Sequence, residues 1–492
     1  MNNAKELDVK VKFGLKSFIA VVAILLAVLV FVGILTFVIP AGRYTIYTRD
    51  EGKAEEPFYQ YTDDESLDKQ IVIDSYRELS DAENTSRLPV LRWFTSPFEA
   101  LTGSNGGNMI MIIALLLVLG GTFKVLEESG GLVSLVRVIM EKLHAKRFIA
   151  VWIITAVIML LSAVFGLQEQ LLILYPIFAM LCTALNWSRF TAISFVLIAS
   201  GVGFTTAITN PLTIGTASIA AGTSVTDGMW YRCIIFCVMY VITSLFLMLL
   251  AKRDEKNATE KFDLKSFAMV SKEEHKEDIR KAKMITLLFS IALLSVIITT
   301  AIDSLRSLAM VFMAVAFIFG TVIVGKLLLG TYKRLGKCFV KGVKDVLPSI
   351  VIIMIAFGIT YIAQQGNILH TIFHYFYNSV TNISPYLAVI ILYAFVLIIE
   401  FFIPSASAKA VLIIPMLTLA PIEGISKTVI ILTYLFADGY TNVLYPTCGT
   451  LLVGLGLADV SFSEWFKKTI AFQLFLMALS IGFLMLAVFI GL

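Results

Sequence analysis

Two pairs of apolar segments in this chain are interrupted where a membrane-spanning helix would run on unbroken. The first pair is FGLQEQLLILYP (Phe165–Pro176) and ASGVGFTTAITNP (Ala199–Pro211); the second is FIPSASAKAVLIIP (Phe402–Pro415) and ADGYTNVLYP (Ala437–Pro446). Between them these segments carry Gly, Pro, Asn and charge in otherwise apolar surroundings. Backbone that leaves the helix at membrane depth survives only where protein or a water-filled cavity surrounds it. Broken segments at matching places in two halves of a chain point to the binding site of a transporter.

Composition agrees with a chain that lives in lipid. It is 58% hydrophobic and only 15% charged, where a soluble domain carries roughly 25% charged residues. Apolar runs of spanning length recur, among them Ser17–Val38, Met109–Val125 and Ala471–Leu492. No cleavage pattern follows Ser17–Val38, which is too long for a signal-peptide core and reads as a retained first helix. The basic residues sit in loops, as topology signals do, and form no nucleic-acid footprint. The expected partners are therefore a small-molecule substrate and the bilayer. The five cysteines show no metal-type spacing. His370 and His374 share a helix face, but no carboxylate or cysteine cluster joins them, and a plain interfacial helix is expected.

Loop charge sets the expected orientation. Lys5, Lys10, Lys12 and Lys16 place the N-terminus in the cytoplasm, and the acidic loop at 41–95 is placed outside. Lys142, Lys146 and Arg147 mark a cytoplasmic turn, and the basic stretch at 252–283 is read as a cytoplasmic linker. Residues 148–187 then start and finish on the cytoplasmic side, and residues 386–425 on the outer side. Each is either a re-entrant hairpin or two full crossings. The expectation is an all-α polytopic membrane protein with two inverted-topology repeats, at 1–251 and 284–492. Each repeat holds a hairpin and a broken helix. That amounts to about 9 spans plus two hairpins, or about 11–13 spans if the hairpins cross. The repeat is visible in the residues. Ser188 aligns with Ser426, and Ala199-Ser200-Gly201 with Ala437-Asp438-Gly439. Aligning Pro176 with Pro415 sets Glu169 on Ala408 and Gln170 on Lys409.

Ionisable residues in membrane segments are costly and are functional candidates by default. Glu169 sits at the first hairpin tip. Glu400 and Lys409 flank the second, where they either pair structurally or serve the site. Asp438 precedes Gly439 in an apolar stretch. Neutral polar residues surround the same points: Thr206 and Asn210 at the first break, Ser405 and Ser407 at the second tip, and Thr441, Asn442 and Thr447 at the second break. Unwound turns free carbonyls that can coordinate Na⁺ or an ammonium, here near Asn210 and Asn442, while helix N-termini can receive a carboxylate. These ten residues (Glu400 apart) are the expected substrate contacts. Motifs for acyl transfer, zinc hydrolysis and phosphate binding are absent, so no enzyme and no resident cofactor is expected beyond a coupling Na⁺ or H⁺.

The run EFFIPSASAKAVLIIPMLTLAP through FADGYTNVLYPTCG to FSEWFKK (Glu400–Lys468) resembles the YfcC family, which is related to the anaerobic C4-dicarboxylate carrier DcuC within the ion transporter superfamily. Phe401-Phe402-Ile403-Pro404-Ser405 and Asp438-Gly439-Tyr440-Thr441-Asn442 carry the likeness, with Asn210-Pro211 and FVIPAGRY (Phe37–Tyr44) agreeing in the first half. The resemblance implies a secondary carrier of the bacterial cytoplasmic membrane, an exchanger of basic amino acids such as arginine and ornithine, and a homodimer like related carriers. C4-dicarboxylates are the alternative cargo. Ser-Ala-Ser-Ala-Lys at 405–409 replaces the family's frequent Ser-Gly-Ser-Gly-Gln, and Gln168-Glu169 replaces its frequent paired acids. Those departures bear on substrate and coupling ion. Lys409 is the candidate to stand in for a sodium ion.

Overall fold

A computed structural model describes residues 15–492 apart from 56–57, 64–71, 73–74, 81, 104–105, 144–145, 259–270, 303–307, 381–382, 404–405 and 420–423. The described chain is almost entirely helical. Helix α1 (Leu15–Val38) is followed by a segment of short strands and turns, then α2 (Gly106–Glu128), α3 (Gly131–Leu143), α4 (Arg147–Phe165), α5 (Tyr175–Ala184), α6 (Arg189–Thr206), α7 (Thr216–Ala221) and α8 (Met229–Asn257). Next come α9 (Lys272–Ala301), α10 (Ala309–Leu329), α11 (Tyr332–Gln365), α12 (Leu369–Val380), α13 (Pro385–Phe402), α14 (Ala406–Leu419), α15 (Lys427–Thr441), α16 (Gly449–Ala458) and α17 (Phe462–Phe489). Among the described residues, ten helical stretches are long and apolar enough to cross a membrane. This is a polytopic all-α membrane protein.

The same order of elements occurs twice. A long helix (α2, α11) leads to an amphipathic one (α3, α12), then to a helical hairpin (α4–α5, α13–α14), a broken helix (α6–α7, α15–α16) and a final long helix (α8, α17). The amphipathic pair shows why: α12 buries Leu369, Phe373, Phe376 and Val380 at helical spacing and exposes Tyr375, Asn378 and Ser379 on the other side. Both broken helices start on a serine cap. Ser188 Oγ accepts from the Thr191 N–H and Ser426 Oγ from the Val429 N–H, each at 3.2 Å. The charged segment expected to link the halves is helical at both ends, because α8 runs to Asn257 and α9 starts at Lys272.

Packing follows a pseudo-twofold pattern. Helix α2 lies against α11 and α6 against α15, while α7 packs on α14 and, in the matching place, α16 on α5. The broken helix Arg189–Ala221 is the centre of the molecule: 94% of its most apolar window is buried, against 33% for α8. Exposed apolar side chains such as Ile19, Phe31, Leu249, Leu287, Ile323 and Phe475 sit on the flanking helices, where lipid would meet them.

The segment that follows α1 is ordered by two short strand pairs. Gly42–Arg43 pairs antiparallel with Arg77–Glu78, and Ile46–Thr48 pairs parallel with Tyr59–Tyr61. It docks on α12. The Tyr44 N–H donates to His370 Nδ1 at 3.0 Å, Tyr44 Oη lies 3.2 Å from His374 Nδ1, and Tyr76 stacks on the His374 ring at 3.9 Å. The two histidines, expected only to share an interfacial helix face, hold this segment down.

Candidate functional site

Helix α4 ends at Gly166, whose positive φ of 74° closes the helix. A Cβ there would lie 2.4 Å from Asn210 Oδ1, so only glycine lets the first break approach the first hairpin tip so closely. Asn210 itself is pinned. Its N–H donates to the Ala163 carbonyl at 3.1 Å, and its Oδ1 accepts from the Leu212 N–H at 2.9 Å. Pro211 then opens a π-type turn in which the Gly215 N–H reaches the Asn210 carbonyl at 3.0 Å. Such turns collect at functional sites.

The two breaks free backbone carbonyls, and the helix that follows each break supplies partners. Arg232 of α8 donates to the Ile208 carbonyl at 3.2 Å, and Trp465 and Gln473 of α17 donate to the Val443 carbonyl at 2.8 and 3.1 Å. These three residues were not among the sequence candidates. Their signal is weak, because nothing local ties a side chain on one helix to a carbonyl 22 to 30 positions away.

The broken helices cross at a glycine pair that the repeat alignment matches, Gly201 and Gly439. A Cβ on Gly439 would fall 2.0 Å from Thr205 Oγ1 and 2.4 Å from its backbone nitrogen. This crossing brings the two breaks together. Asn442 Nδ2 donates to Gln168 Oε1 at 3.0 Å, joining the second break to the first hairpin tip.

Between these parts lies a cavity with an empty volume of about 1310 Å³, its open mouth included. Gln168, Glu169 and Gln170 line it from the first tip, Asn442, Cys448 and Thr450 from the second break, and Ala406 from the second hairpin. Ile112, Leu116, Phe204, Ile353 and Phe357 supply apolar walls, and Thr360 adds a hydroxyl. Glu169 faces the Thr450 hydroxyl, while its Oε2 is buried without a partner, as are Gln168 Nε2 and Gln170 Oε1. Among the described residues, no Lys, Arg or His side chain lines it. A second cavity shares Leu116, Leu119 and Leu172 with the first and leads to Lys124, Glu127 and Asp345 at the C-terminal end of α2.

Lys409, Glu400 and Asp438 do not line the cavity. They form a sealed triad with no solvent exposure on any of the three side chains. Lys409 Nζ donates to Glu400 Oε2, to Asp438 Oδ1 at 2.7 Å and to the Ile403 carbonyl at 3.3 Å. Thr441 Oγ1 adds a bond to Glu400 Oε2 at 3.2 Å, and the Tyr434 ring lies 5.9 Å from the ammonium. The triad joins α13, α14 and α15.

Of the ten expected substrate contacts, Glu169 and Asn442 therefore line the cavity, while Lys409, Asp438 and Thr441 stand behind its wall. Thr206 is turned back on its own helix, its hydroxyl donating to the Gly203 carbonyl at 2.9 Å. Asn210 and Thr447 are buried beside the breaks, with Asn210 Nδ2 and Thr447 Oγ1 lacking partners. Ser407 lies in the first turn of α14, and Ser405 lies outside the described residues. Thr450, Thr360 and Cys448 enter the site without having stood among the candidates.

A family profile described as C4-dicarboxylate anaerobic carrier (DcuC) matches residues 18–489. The chain belongs to the DcuC family. The carrier is 24% identical over 486 residues to "Putative basic amino acid antiporter YfcC" of Escherichia coli K12, covering 92% of this chain and 94% of that protein. An uncharacterised Haemophilus influenzae protein is 22% identical over 370 residues, 72% of this chain and 71% of its own. Two solved transporters align along most of the carrier. YdaH of Alcanivorax borkumensis has a TM-score of 0.41 at 16% identity, with 97% of this chain and 99% of that one covered. MtrF of Neisseria gonorrhoeae, titled as one of a class of antimetabolite efflux pumps, has a TM-score of 0.45 at 15% identity, with 95% of each chain covered. By family, then, the carrier is a multi-pass membrane transporter and not an enzyme.

Proposed function

We propose that the carrier exchanges amino acids, basic ones such as arginine and ornithine preferred, across the bacterial cytoplasmic membrane by alternating access. The observation that carries this reading is the charge of the cavity: among the described residues that line it, Glu169 is the one carboxylate and none is basic. A cationic head group can bind Glu169 there, whereas a C4-dicarboxylate would bring two negative charges to a wall with no cation. Gln168, Gln170, Asn442 and Thr450 supply donors and acceptors for the α-amino and α-carboxyl groups. The name of the Escherichia coli relative points the same way. The family description names C4-dicarboxylates, and that cargo is the competing reading.

With the N-terminus in the cytoplasm, the two halves run in opposite senses. The cavity then continues past Leu116, Leu119 and Leu172 toward the inside. Exchanging the roles of the two halves gives the outward state. Transport needs no sodium in this reading. The Lys409 ammonium fills the place of a coupling cation, and the Ile208 and Val443 carbonyls, along with Asn210 Oδ1, already have protein partners.

Counterflow in proteoliposomes tests the reading. Arginine-loaded vesicles are expected to take up labelled arginine or ornithine in sodium-free buffer. Glu169→Gln is expected to weaken uptake about 10- to 100-fold, as loss of one charged hydrogen bond of roughly 1.5–3 kcal/mol implies. Uptake of succinate without any amino acid would refute the substrate class, and a strict need for Na⁺ would refute the role given to Lys409.

A further inference from the structure

The buried triad has one positive and two negative groups. Glu400 and Asp438 share the single ammonium of Lys409. A carboxyl that keeps its proton has an O–H to donate, whereas two ionised carboxylates can only accept. Glu400 Oε1 and Asp438 Oδ2 are both buried without a partner. Among the described residues the surroundings offer no second cation. The titratable groups facing the triad there are the phenols of Tyr393 on α13, Tyr434 on α15 and Tyr445 in the second break, with Glu169 beyond the wall. All of these are neutral or negative. A net negative charge in so enclosed a place is heavily penalised unless it is neutralised.

We infer that Glu400 and Asp438 hold one exchangeable proton between them and that the triad is the carrier's proton-coupling site. With the proton bound, one ammonium faces one carboxylate and one carboxylic acid, and the triad is neutral. Without it the triad carries one negative charge. The proton comes from water and returns to water, and nothing else changes.

Position ties this proton to the cavity. Ala406 lines the cavity, and Lys409 is the next turn of α14. Asn442 lines it too, and Asp438 is the preceding turn of α15. Tyr434 Oη holds the start of α14 by donating to the Ala406 carbonyl at 2.6 Å, and Lys409 reaches back to the Ile403 carbonyl. Water therefore reaches Glu400 and Asp438 only when α14 separates from α13 and α15. The same displacement moves a wall of the substrate cavity. Proton exchange and substrate exchange thus use one movement, a link that rests on the transport reading above.

Infrared difference spectra of the reconstituted full chain, in H₂O against D₂O, test the proton directly and need no substrate. Wild-type protein at neutral pH is expected to show the C=O stretch of a protonated carboxyl. Glu400→Gln and Asp438→Asn should each abolish it, and Glu169→Gln should leave it. Absence of the band from folded wild-type protein overturns the inference, and so does its survival in whichever of Glu400→Gln and Asp438→Asn folds. The second arm loads the vesicles with arginine and an internal pH dye. Arginine movement accompanied by a pH change supports coupling, and arginine movement with no pH change overturns it. If wild-type vesicles move no arginine, the amino acid reading fails, while the spectra still decide the proton site.

Discussion

Replacing Gly439 by alanine tests the crossing on which the site depends. The added methyl would lie 2.0 Å from Thr205 Oγ1, 2.4 Å from the Thr205 nitrogen and 2.5 Å from its Cα. The hydroxyl can rotate away, but the main-chain atoms cannot. To restore ordinary contact, α6 and α15 must part by about 1 Å, and each is closed in by other helices. Overpacking a core typically costs about 1–3 kcal/mol. Because the clash is with backbone, the upper end is expected, about 3 kcal/mol, or roughly a hundredfold in the folding equilibrium. Thermal unfolding in detergent, followed by intrinsic fluorescence, reads the loss. Gly482→Ala is the control, since a Cβ there meets nothing within 4 Å and lies in helix α17, where alanine gains about 0.5–1 kcal/mol. If Gly439→Ala melts with the wild type and transports at the wild-type rate, the two broken helices do not meet at this residue and the site described above is wrong.

Lys409→Met is expected to destabilise the carrier by about 3–5 kcal/mol, because the buried carboxylate of the triad loses its cation. Combining it with Glu400→Gln and Asp438→Asn should recover most of that, and melting curves of the single and triple variants give the comparison. Asn442→Ala removes the bond to Gln168 and leaves a buried amide oxygen unsatisfied, a loss of about 1–3 kcal/mol that the same melts would register. For His370, burial first and the nearby Arg43 second hold the imidazole down to about 4. A depressed value means that its contribution to docking the segment that follows α1 is complete above about 6.5, the ordinary imidazole value, and fades as the pH falls toward 4. The protection of the Tyr44 amide, its exchange rate measured against the intrinsic rate at each pH, should fall over that window in the wild type, and constant protection there would contradict the docking described.

Much of this arrangement could be read in advance because its signals are local. Glycine, proline and asparagine in an apolar run announce a break wherever they occur, and the repeat doubled each signal. The alignment of Gly201 with Gly439 came from sequence, but that the two helices touch there did not, since equivalence under a repeat says nothing about contact. Glu400 and Lys409 are nine positions apart, and pairing was one of two readings left open. That Asp438 completes a closed triad, rather than facing substrate, depends on how α15 rotates against α14, which no local pattern encodes. Gln168 and Asn442 were both in view as residues, yet their bond spans 274 positions. The segment at 41–95 carries a different lesson. Its acidic composition describes what faces water, while the contacts that order it come from Tyr44, Tyr76 and two histidines on a distant helix.

The enclosure of Arg189–Ala221 also bears on how the carrier is made. That helix is central because α4, α5 and α8 of its own half and α14, α15 and α16 of the second half all pack on it. During synthesis the second half follows about 230 residues later, which at roughly 5–20 residues per second leaves an interval of about 10–50 s. Through that interval the faces that α14, α15 and α16 later cover meet only lipid or the insertion machinery. The first half is therefore the part of this chain most exposed to degradation before its partner arrives.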